Sequence, residues 1–416
     1  MSGAPQTSWP LSIYLVAAEE SGDALGAALA KALIKEVGAV RLSGVGGHAM
    51  ATVGIASPFA IDELSIIGLT AIPKRLPKIF RRIRDTALAV VAAQPDALVI
   101  IDSPDFTHRV ARRVRRLAPS IPIIDYVSPS VWAWRPGRAR AMRNYVDQVL
   151  AILPFEPTIH AKLGGPPCSY VGHPLIERIG ELRPNAEEAR RRLADPPLVL
   201  ALPGSRSSEI RRLAGIFGET IARLAAHTGA IDLVIPTVPH VAAQLRDAVA
   251  DWKVKPRIVV EPRDKWSAFR NARAALAASG TVTLELALAG VPMVAAYRLH
   301  AVEAVIARLI RVQARLPSVI LANLVLGENA VPELLQEDCT PDNLAAALLP
   351  LVADTPERRR QIEAYRRLDD IMAIGGTTPS AKAASLVLDI ARRGRPPSNN
   401  NHANAAAELP MPQASC

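Results

Sequence analysis

Four stretches of the 416-residue sequence place polar, reactive side chains directly behind apolar runs. The first is Ala18-Glu19-Glu20-Ser21-Gly22-Asp23, after Leu11–Ala17. Gly22 there permits a tight turn, and a helix starting beyond it offers unpaired N–H groups to an anion. The commoner use of Ser21 or Asp23 at such a place is as an N-cap. The second is Asp102-Ser103-Pro104-Asp105-Phe106, after Ala97–Ile101. A buried strand would carry the Asp102 carboxylate to the rim of a sheet, partly desolvated and suited to accept a proton from a hydroxyl. Asp105, three residues on, would cap the next helix.

The third is Pro203-Gly204-Ser205-Arg206-Ser207-Ser208-Glu209, after Leu198–Leu202. Gly204 would let the backbone approach a ligand, Ser205 would donate a hydrogen bond, and Arg206 offers a planar cationic fork that matches phosphate. The bland alternative is a surface turn with a serine cap and Glu209 complementing the helix dipole. The fourth is Ser279-Gly280-Thr281-Val282-Thr283-Leu284-Glu285, after Ala274–Ala278. Ser279, Thr281 and nearby N–H groups would hold a second phosphate. Glu285 would accept both hydroxyls of a ribose or, unpaired, complement the dipole.

Such loops need strands to deliver them. Apolar runs predict strands at Leu11–Ala17, Ala97–Ile101, 121–127, 148–152, Leu198–Leu202, 231–235, 257–260, Ala274–Ala278 and 292–297. Helical spacing appears at 23–37, 106–117, 185–193 and 381–393. Continuous Val/Ile/Leu runs between helices indicate parallel sheets covered on both faces. The expected fold class is α/β, with two Rossmann-like halves facing a cleft and ligands beyond the carboxyl ends of strands. The expected domains are residues 1–176 and 177–365, then a helical segment 366–393 and a disordered tail 394–416.

Composition narrows the function further. Half the residues are apolar, 49 basic residues against 39 acidic ones leave a net charge of +10, and aromatics are few at 4%. That excludes a disordered or fibrous chain. Cys168, Cys339 and Cys416 are too few and too scattered for a disulfide framework or zinc site, which points to a reducing compartment. No Asp-x-Asp, Gly-x-Ser-x-Gly or Walker A pattern occurs, and the eight histidines have no ligand spacing. Even the run 286–297 is shorter than the roughly 20 residues of a spanning helix, and no basic segment precedes Leu11 as a cleaved signal requires. The expectation is a soluble cytoplasmic protein without a metal.

The positive charge is clustered. Lys74, Arg75, Lys78, Arg81, Arg82 and Arg84 form one group, Arg109, Arg112, Arg113, Arg115 and Arg116 a second, and Arg135, Arg138, Arg140 and Arg143 a third. Clusters of this kind attract nucleic acid, anionic lipid or phosphorylated substrates, and they also occur as plain solvated helix faces. In the first group Leu76, Ile79, Phe80 and Ile83 share one helical face. Pro77 fits such a helix only within its first turn.

These stretches resemble the lipid-A-disaccharide synthases, the bacterial glycosyltransferases of family 19 that join two acylated glucosamines. The matching pieces include Glu20-Ser21-Gly22-Asp23, Ile101-Asp102-Ser103-Pro104-Asp105-Phe106 and Ser128-Pro129-Ser130-Val131-Trp132-Ala133-Trp134-Arg135. They continue through Leu153-Pro154-Phe155-Glu156, Val171-Gly172-His173-Pro174, Leu202-Pro203-Gly204-Ser205-Arg206, Ala278-Ser279-Gly280-Thr281 and Pro292-Met293-Val294. The resemblance runs in order from about Leu11 to about Arg392.

It implies a GT-B fold, a UDP-2,3-diacylglucosamine donor and a 2,3-diacylglucosamine 1-phosphate acceptor, with a β-1,6 link formed by inversion. No cofactor, metal or nucleic acid is implied. The place of work is the inner face of the cytoplasmic membrane, with room for a homodimer. Catalytic roles carry over to Asp102 and Arg206, and nucleotide contacts to Ser279, Gly280, Thr281 and Glu285. With the loop readings above, Ser21, Gly22, Asp105, Gly204 and Ser205 complete the expected substrate-binding set.

The chain departs from the family pattern at Ala18, where glycine is usual, and at Ala322-Asn323, where Pro-Asn is usual in a region of subunit exchange. Its tail is also additional. Rivals on the same fold are another UDP-N-acetylglucosamine transferase of envelope synthesis, a UDP-sugar epimerase, and a non-catalytic sugar-nucleotide binding protein. The basic, apolar 74–84 segment favours a lipid substrate, and Asp102 favours catalysis over binding.

Overall fold

Among the described residues, twelve strands build two six-stranded parallel sheets flanked by helices. In the first, β1 (Leu11–Ala17), β2 (Val40–Val45), β3 (Ala97–Ile101), β4 (Ile123–Tyr126), β5 (Gln148–Ala151) and β6 (Cys168–Tyr170) lie in the order β2-β1-β3-β4-β5-β6. In the second, β7 (Leu198–Leu202), β8 (Asp232–Pro236), β9 (Arg257–Val259), β10 (Ala274–Ala278), β11 (Met293–Tyr297) and β12 (Glu333–Leu335) lie in the order β12-β11-β10-β7-β8-β9. This computed structural model describes residues 10–64, 72–133, 135–298 and 318–394, with 72–76 described by backbone alone. Trp134, the side chains of Lys74, Arg75 and Leu76, and the tail beyond Gly394 lie outside the described residues.

Two compact units result. One takes in the described parts of 1–126, 143–149 and 383–394; the other takes in those of 127–142 and 150–382. In the first unit β1 and β3 are almost entirely inaccessible. The second shows why its strands read as unbroken apolar runs. Leu198, Leu200 and Leu202 pack into one core with Ala275, Ala277, Met293 and Ala295. Val199 and Ala201 pack into another with Ala274, Leu276, Ala278, Val294 and Ala296. Alternate residues thus enter opposite cores, so neither face of the sheet tolerates a polar side chain.

The strands missing from the sequence reading, β2, β6 and β12, occupy three of the four sheet edges. Their residues are mostly half-exposed, so no apolar run marks them. Two helices also differ from expectation. The first, α1 (Glu20–Val37), starts three residues before the predicted position 23. After α2 (His48–Ala51), helix α3 (Ile72–Ala93) runs straight through Pro77, which lies beyond its first turn. The helix survives because the proline forfeits a single backbone bond near the N-terminal end, while the C-terminal part packs Ile83, Thr86, Ala87 and Val90. Helix α4 (Thr107–Leu117) follows β3.

Candidate active site

In the first unit β3 ends at Ile101 and hands over to Asp102, as the sequence predicts, but the backbone there is unusual. Asp102 and Ser103 both take left-handed conformations, φ +52° and +44°, a region that non-glycine residues enter at a cost of about 1–2 kcal/mol each. The loop is tied at several atoms. The Asp102 N–H donates to Tyr126 O at 3.0 Å, and Asp102 Oδ1 accepts from the Ser103 N–H at 2.7 Å. Asp102 Oδ2 accepts from Ser21 Oγ at 3.2 Å, so the first and second loops of the sequence meet.

That meeting corrects the capping readings. Ser21 and Asp23 lie inside α1, whose cap position is Glu19. The buried Asp23 carboxylate instead accepts from the N–H groups of Gly47, Ala49 and Met50, fixing the turn into α2. Gly22 makes no tight turn. It is buried, and a Cβ there would press on Ile101 O at 3.2 Å and Ala17 Cβ at 3.4 Å, so it serves the seating of α1 on β1 and β3. Asp105 is exposed and does not occupy the α4 cap position, which Phe106 takes.

The second unit gathers the third and fourth loops around one cavity of about 340 Å³ at the carboxyl ends of β7, β8 and β10. Gly204, Ser205, Arg206, Ser279, Gly280, Thr281 and Glu285 all line it. Arg206 caps the Ser207–Thr228 helix by its backbone position, and Glu209 closes that turn by accepting from the Ser205 and Arg206 N–H groups at 3.0 and 3.3 Å. No serine caps this helix. Gly204, φ +124°, is needed for the same reason: a methyl group there would overlap Glu209 Cβ and Oε2. Its freedom makes room for Glu209.

Arg206 Nη1 donates to Glu209 Oε1 at 3.0 Å, yet its side chain is 77% exposed, leaving most of its fork turned to solvent. Ser279 Oγ donates to Val319 O at 3.3 Å, so its hydroxyl proton is engaged within the fold. Glu285 is not a lone dipole partner. Its Oε2 lies 2.6 Å from Lys265 Nζ, an ion pair by distance though outside hydrogen-bond angles. Lys265 also lies over the Trp266 and Phe269 rings, 4.4 and 5.4 Å from their centroids. Lys265 and Thr237 are cavity residues that the sequence reading passed over. Both follow strand ends, β9 and β8, but neither carries a glycine-rich signal. Among the described residues no three His, Cys, Asp or Glu side chains gather as a metal-binding group.

A polar-lined cavity at the carboxyl ends of a parallel sheet describes many enzymes, and comparison with known proteins narrows it. Residues 13–386 match the family model described as lipid-A-disaccharide synthetase. The chain belongs to the lipid-A-disaccharide synthase family. The lipid-A-disaccharide synthase of Nitrobacter hamburgensis is 60% identical over 386 residues, covering 92% of this chain and 97% of that protein.

Solved structures share the fold. The UDP-GlcNAc 2-epimerase of Neisseria meningitidis bound to UDP-GlcNAc has a TM-score of 0.51 at 13% identity, covering 92% of this chain and 100% of that one. The calicheamicin glycosyltransferase CalG4 has a TM-score of 0.54 at 16% identity, covering 92% and 99%. The GT-B fold and the glycosyltransferase class expected from the resemblance are therefore established for this synthase, and the epimerase and non-catalytic rivals fall away.

Other stretches of the resemblance prove to be turns with buried anchors. Val127 takes φ +80°, rare for a β-branched residue, and next to it Ser128 Oγ lies 2.8 Å from His160 Nε2. Trp132 meets Phe155 edge-on at 5.6 Å, and Glu156 accepts from the Leu153 N–H at 3.0 Å. His173 keeps some surface in solvent, but its ring is crowded by neighbouring atoms. That burial pushes its pKa down to about 4, and Nδ1 accepts from the Leu175 N–H. Of the family departures, Ala18 and Ala322 are buried. Asn323 is buried as well, and its amide binds Val331 and Glu333 inside the second unit.

The basic clusters are not uniform faces. Arg82 pairs with Glu63 at 2.7 Å and lies over Phe59; Lys78 reaches the same Glu63 at 3.3 Å. The Arg82 hydrogen bond lowers the Glu63 pKa. Arg115 is buried and binds Pro119 O, Ile121 O and Asp147. On α3 the predicted apolar face divides: Ile83 is in the core, while Phe80 is 52% exposed with Arg109 over its ring. No described helix is long and apolar enough to cross a membrane.

Proposed function

We propose that this synthase transfers 2,3-diacylglucosamine from UDP to the 6-hydroxyl of 2,3-diacylglucosamine 1-phosphate, with inversion at the anomeric carbon. The observation that carries the reading is the cavity beyond β7, β8 and β10, which an exposed arginine fork and a carboxylate both line. In open α/β sheets this is where nucleotides bind. Arg206 would face the pyrophosphate, and Glu285, oriented by Lys265, would accept the ribose hydroxyls. Ser205, Gly280 and Thr281 supply polar contacts beside them.

Asp102 would take the proton from the acceptor hydroxyl as its oxygen bonds to the anomeric carbon. In the same step the bond from that carbon to the UDP oxygen breaks, and the electron pair leaves with the β-phosphate. Arg206 stabilises the charge that develops there. We assign this role to the arginine rather than to a metal ion. Both substrates carry acyl chains, and the exposed Phe80 beside Arg81 suits docking at the cytoplasmic leaflet of an anionic membrane.

The test supplies purified protein with UDP-2,3-diacylglucosamine and 2,3-diacylglucosamine 1-phosphate, with and without EDTA. The expected product is the β-1,6 disaccharide by thin-layer separation and anomeric coupling, formed equally in both samples. An α-linked product overturns inversion, loss of activity in EDTA overturns the arginine assignment, and no disaccharide overturns the substrate pair.

A further inference from the structure

We infer that Thr107, the first residue of α4, is a positioning residue whose hydroxyl holds the Asp102 loop in its left-handed form. The inference rests on Asp102 being the general base. Thr107 is wholly inaccessible, and its Oγ1 lies 2.6 Å from Asp102 O and 3.1 Å from Ser103 O. It therefore bonds to the carbonyls of both residues with positive φ. A return of either residue to the ordinary β or right-handed region would swing these carbonyls away and rotate the Asp102 carboxylate with them.

The other bonds of the loop do less. The Phe106 and Thr107 N–H groups reach Ser103 O at 3.0 and 3.1 Å, as helix entry requires. The threonine hydroxyl also binds Asp102 O, which those N–H groups do not reach. Its own place is fixed by the next residue. His108 is buried, with Nε2 3.3 Å from Asp125 Oδ2 on β4 and Nδ1 3.0 Å from Tyr145 Oη. The first turn of α4 is thereby docked on the strand beside β3, and the hydroxyl is presented from a rigid support. Strain of this kind persists only where the surroundings over-determine it, and Thr107 is the group that does so at the base itself.

Steady-state kinetics of Thr107→Val, Thr107→Ala and Thr107→Ser test this. Valine fills the same space without the donor. Alanine and serine both lose the methyl group, so their difference isolates the hydroxyl even if valine packs badly. The expected result is a kcat about tenfold to a hundredfold lower for Val and Ala, the scale of a small misplacement of a reacting group. KM for both substrates and UDP affinity should stay unchanged, and Ser should keep most of the wild-type kcat. Equal losses for Ser and Ala, or a rise in KM without a fall in kcat, overturn the inference.

In an Asp102→Asn background, adding Thr107→Val should cost nothing further, because both changes act through one group. A multiplicative loss overturns the positioning role. Full activity of Asp102→Asn alone would instead overturn the reading of Asp102, and the role of Thr107 with it. An inactive Asp102→Asn beside an unimpaired Thr107→Val overturns only Thr107.

Discussion

The loop after β3 and the loop after β7 both leave buried parallel strands at their carboxyl ends, yet they are built on opposite plans. After β3, two non-glycine residues take positive φ, and both carboxylate oxygens of Asp102 are bonded. After β7, the positive φ falls on Gly204, where it costs little, and Arg206 stands 77% exposed with one nitrogen engaged. The first loop holds its carboxylate in place and the second leaves its guanidinium mostly in solvent. The proposed roles suit this difference: a base would have to meet a hydroxyl at a defined angle, whereas a phosphate clamp would have to close on a mobile, highly charged group.

The sharpest break of this comparison is Asp102→Asn. It should lower kcat by about 10²–10⁴-fold, the usual worth of general-base catalysis, while UDP affinity measured by calorimetry stays the same. Near-wild-type turnover would remove Asp102 from the chemistry. In the other loop, Arg206→Lys keeps the charge and loses the fork, so kcat/KM should still drop about ten- to a hundredfold, the scale of one charge-assisted hydrogen bond. Full activity with lysine would show that charge alone suffices. Glu285→Ala should weaken UDP binding about tenfold on the same scale. Unchanged binding would leave Glu285 as a partner of Lys265 and nothing more.

Acid separates the units in a milder way. His173, in the second unit, titrates near 4 when folded against about 6.5 when unfolded. Between those values the unfolded chain binds a proton that the folded chain refuses, so stability falls as pH drops from about 6.5 to 4. The shift sets an upper limit of about 3 kcal/mol, reduced by the ring's partial exposure. His173→Asn keeps an acceptor for the Leu175 N–H and should flatten this part of the pH–stability curve. An unchanged curve would assign the acid loss to other groups.

The smallest effect belongs to the membrane face. Phe80→Ser with Arg81→Ser should reduce co-sedimentation with anionic liposomes at low salt, each cation near such a surface being worth about 1 kcal/mol. Activity on detergent-dispersed substrate should persist. Arg82→Ser is the contrast, because Arg82 is tied to Glu63 and Phe59 and its loss should act on stability first. Equal sedimentation of the double variant and wild type would rule out this face.

Much of the molecule was legible in the chain alone. Central strands show as apolar runs because both faces are buried, as at Leu198–Leu202, and the four candidate loops stand out because each follows such a run. Residue chemistry marked Asp102, Arg206 and Glu285 before any geometry was known. What the sequence left open depends on contacts between distant segments. Edge strands β2, β6 and β12 have one free side and no pattern to show. Nothing local to Gly204 announces that Glu209 fills the space beside it, and nothing local to Lys265 announces Glu285. The left-handed Asp102 and Ser103 are decided by tertiary structure alone. Their own preferences oppose that conformation, and contacts from Ser21, Tyr126 and Thr107, brought together by the packed sheet and helices, help overcome it.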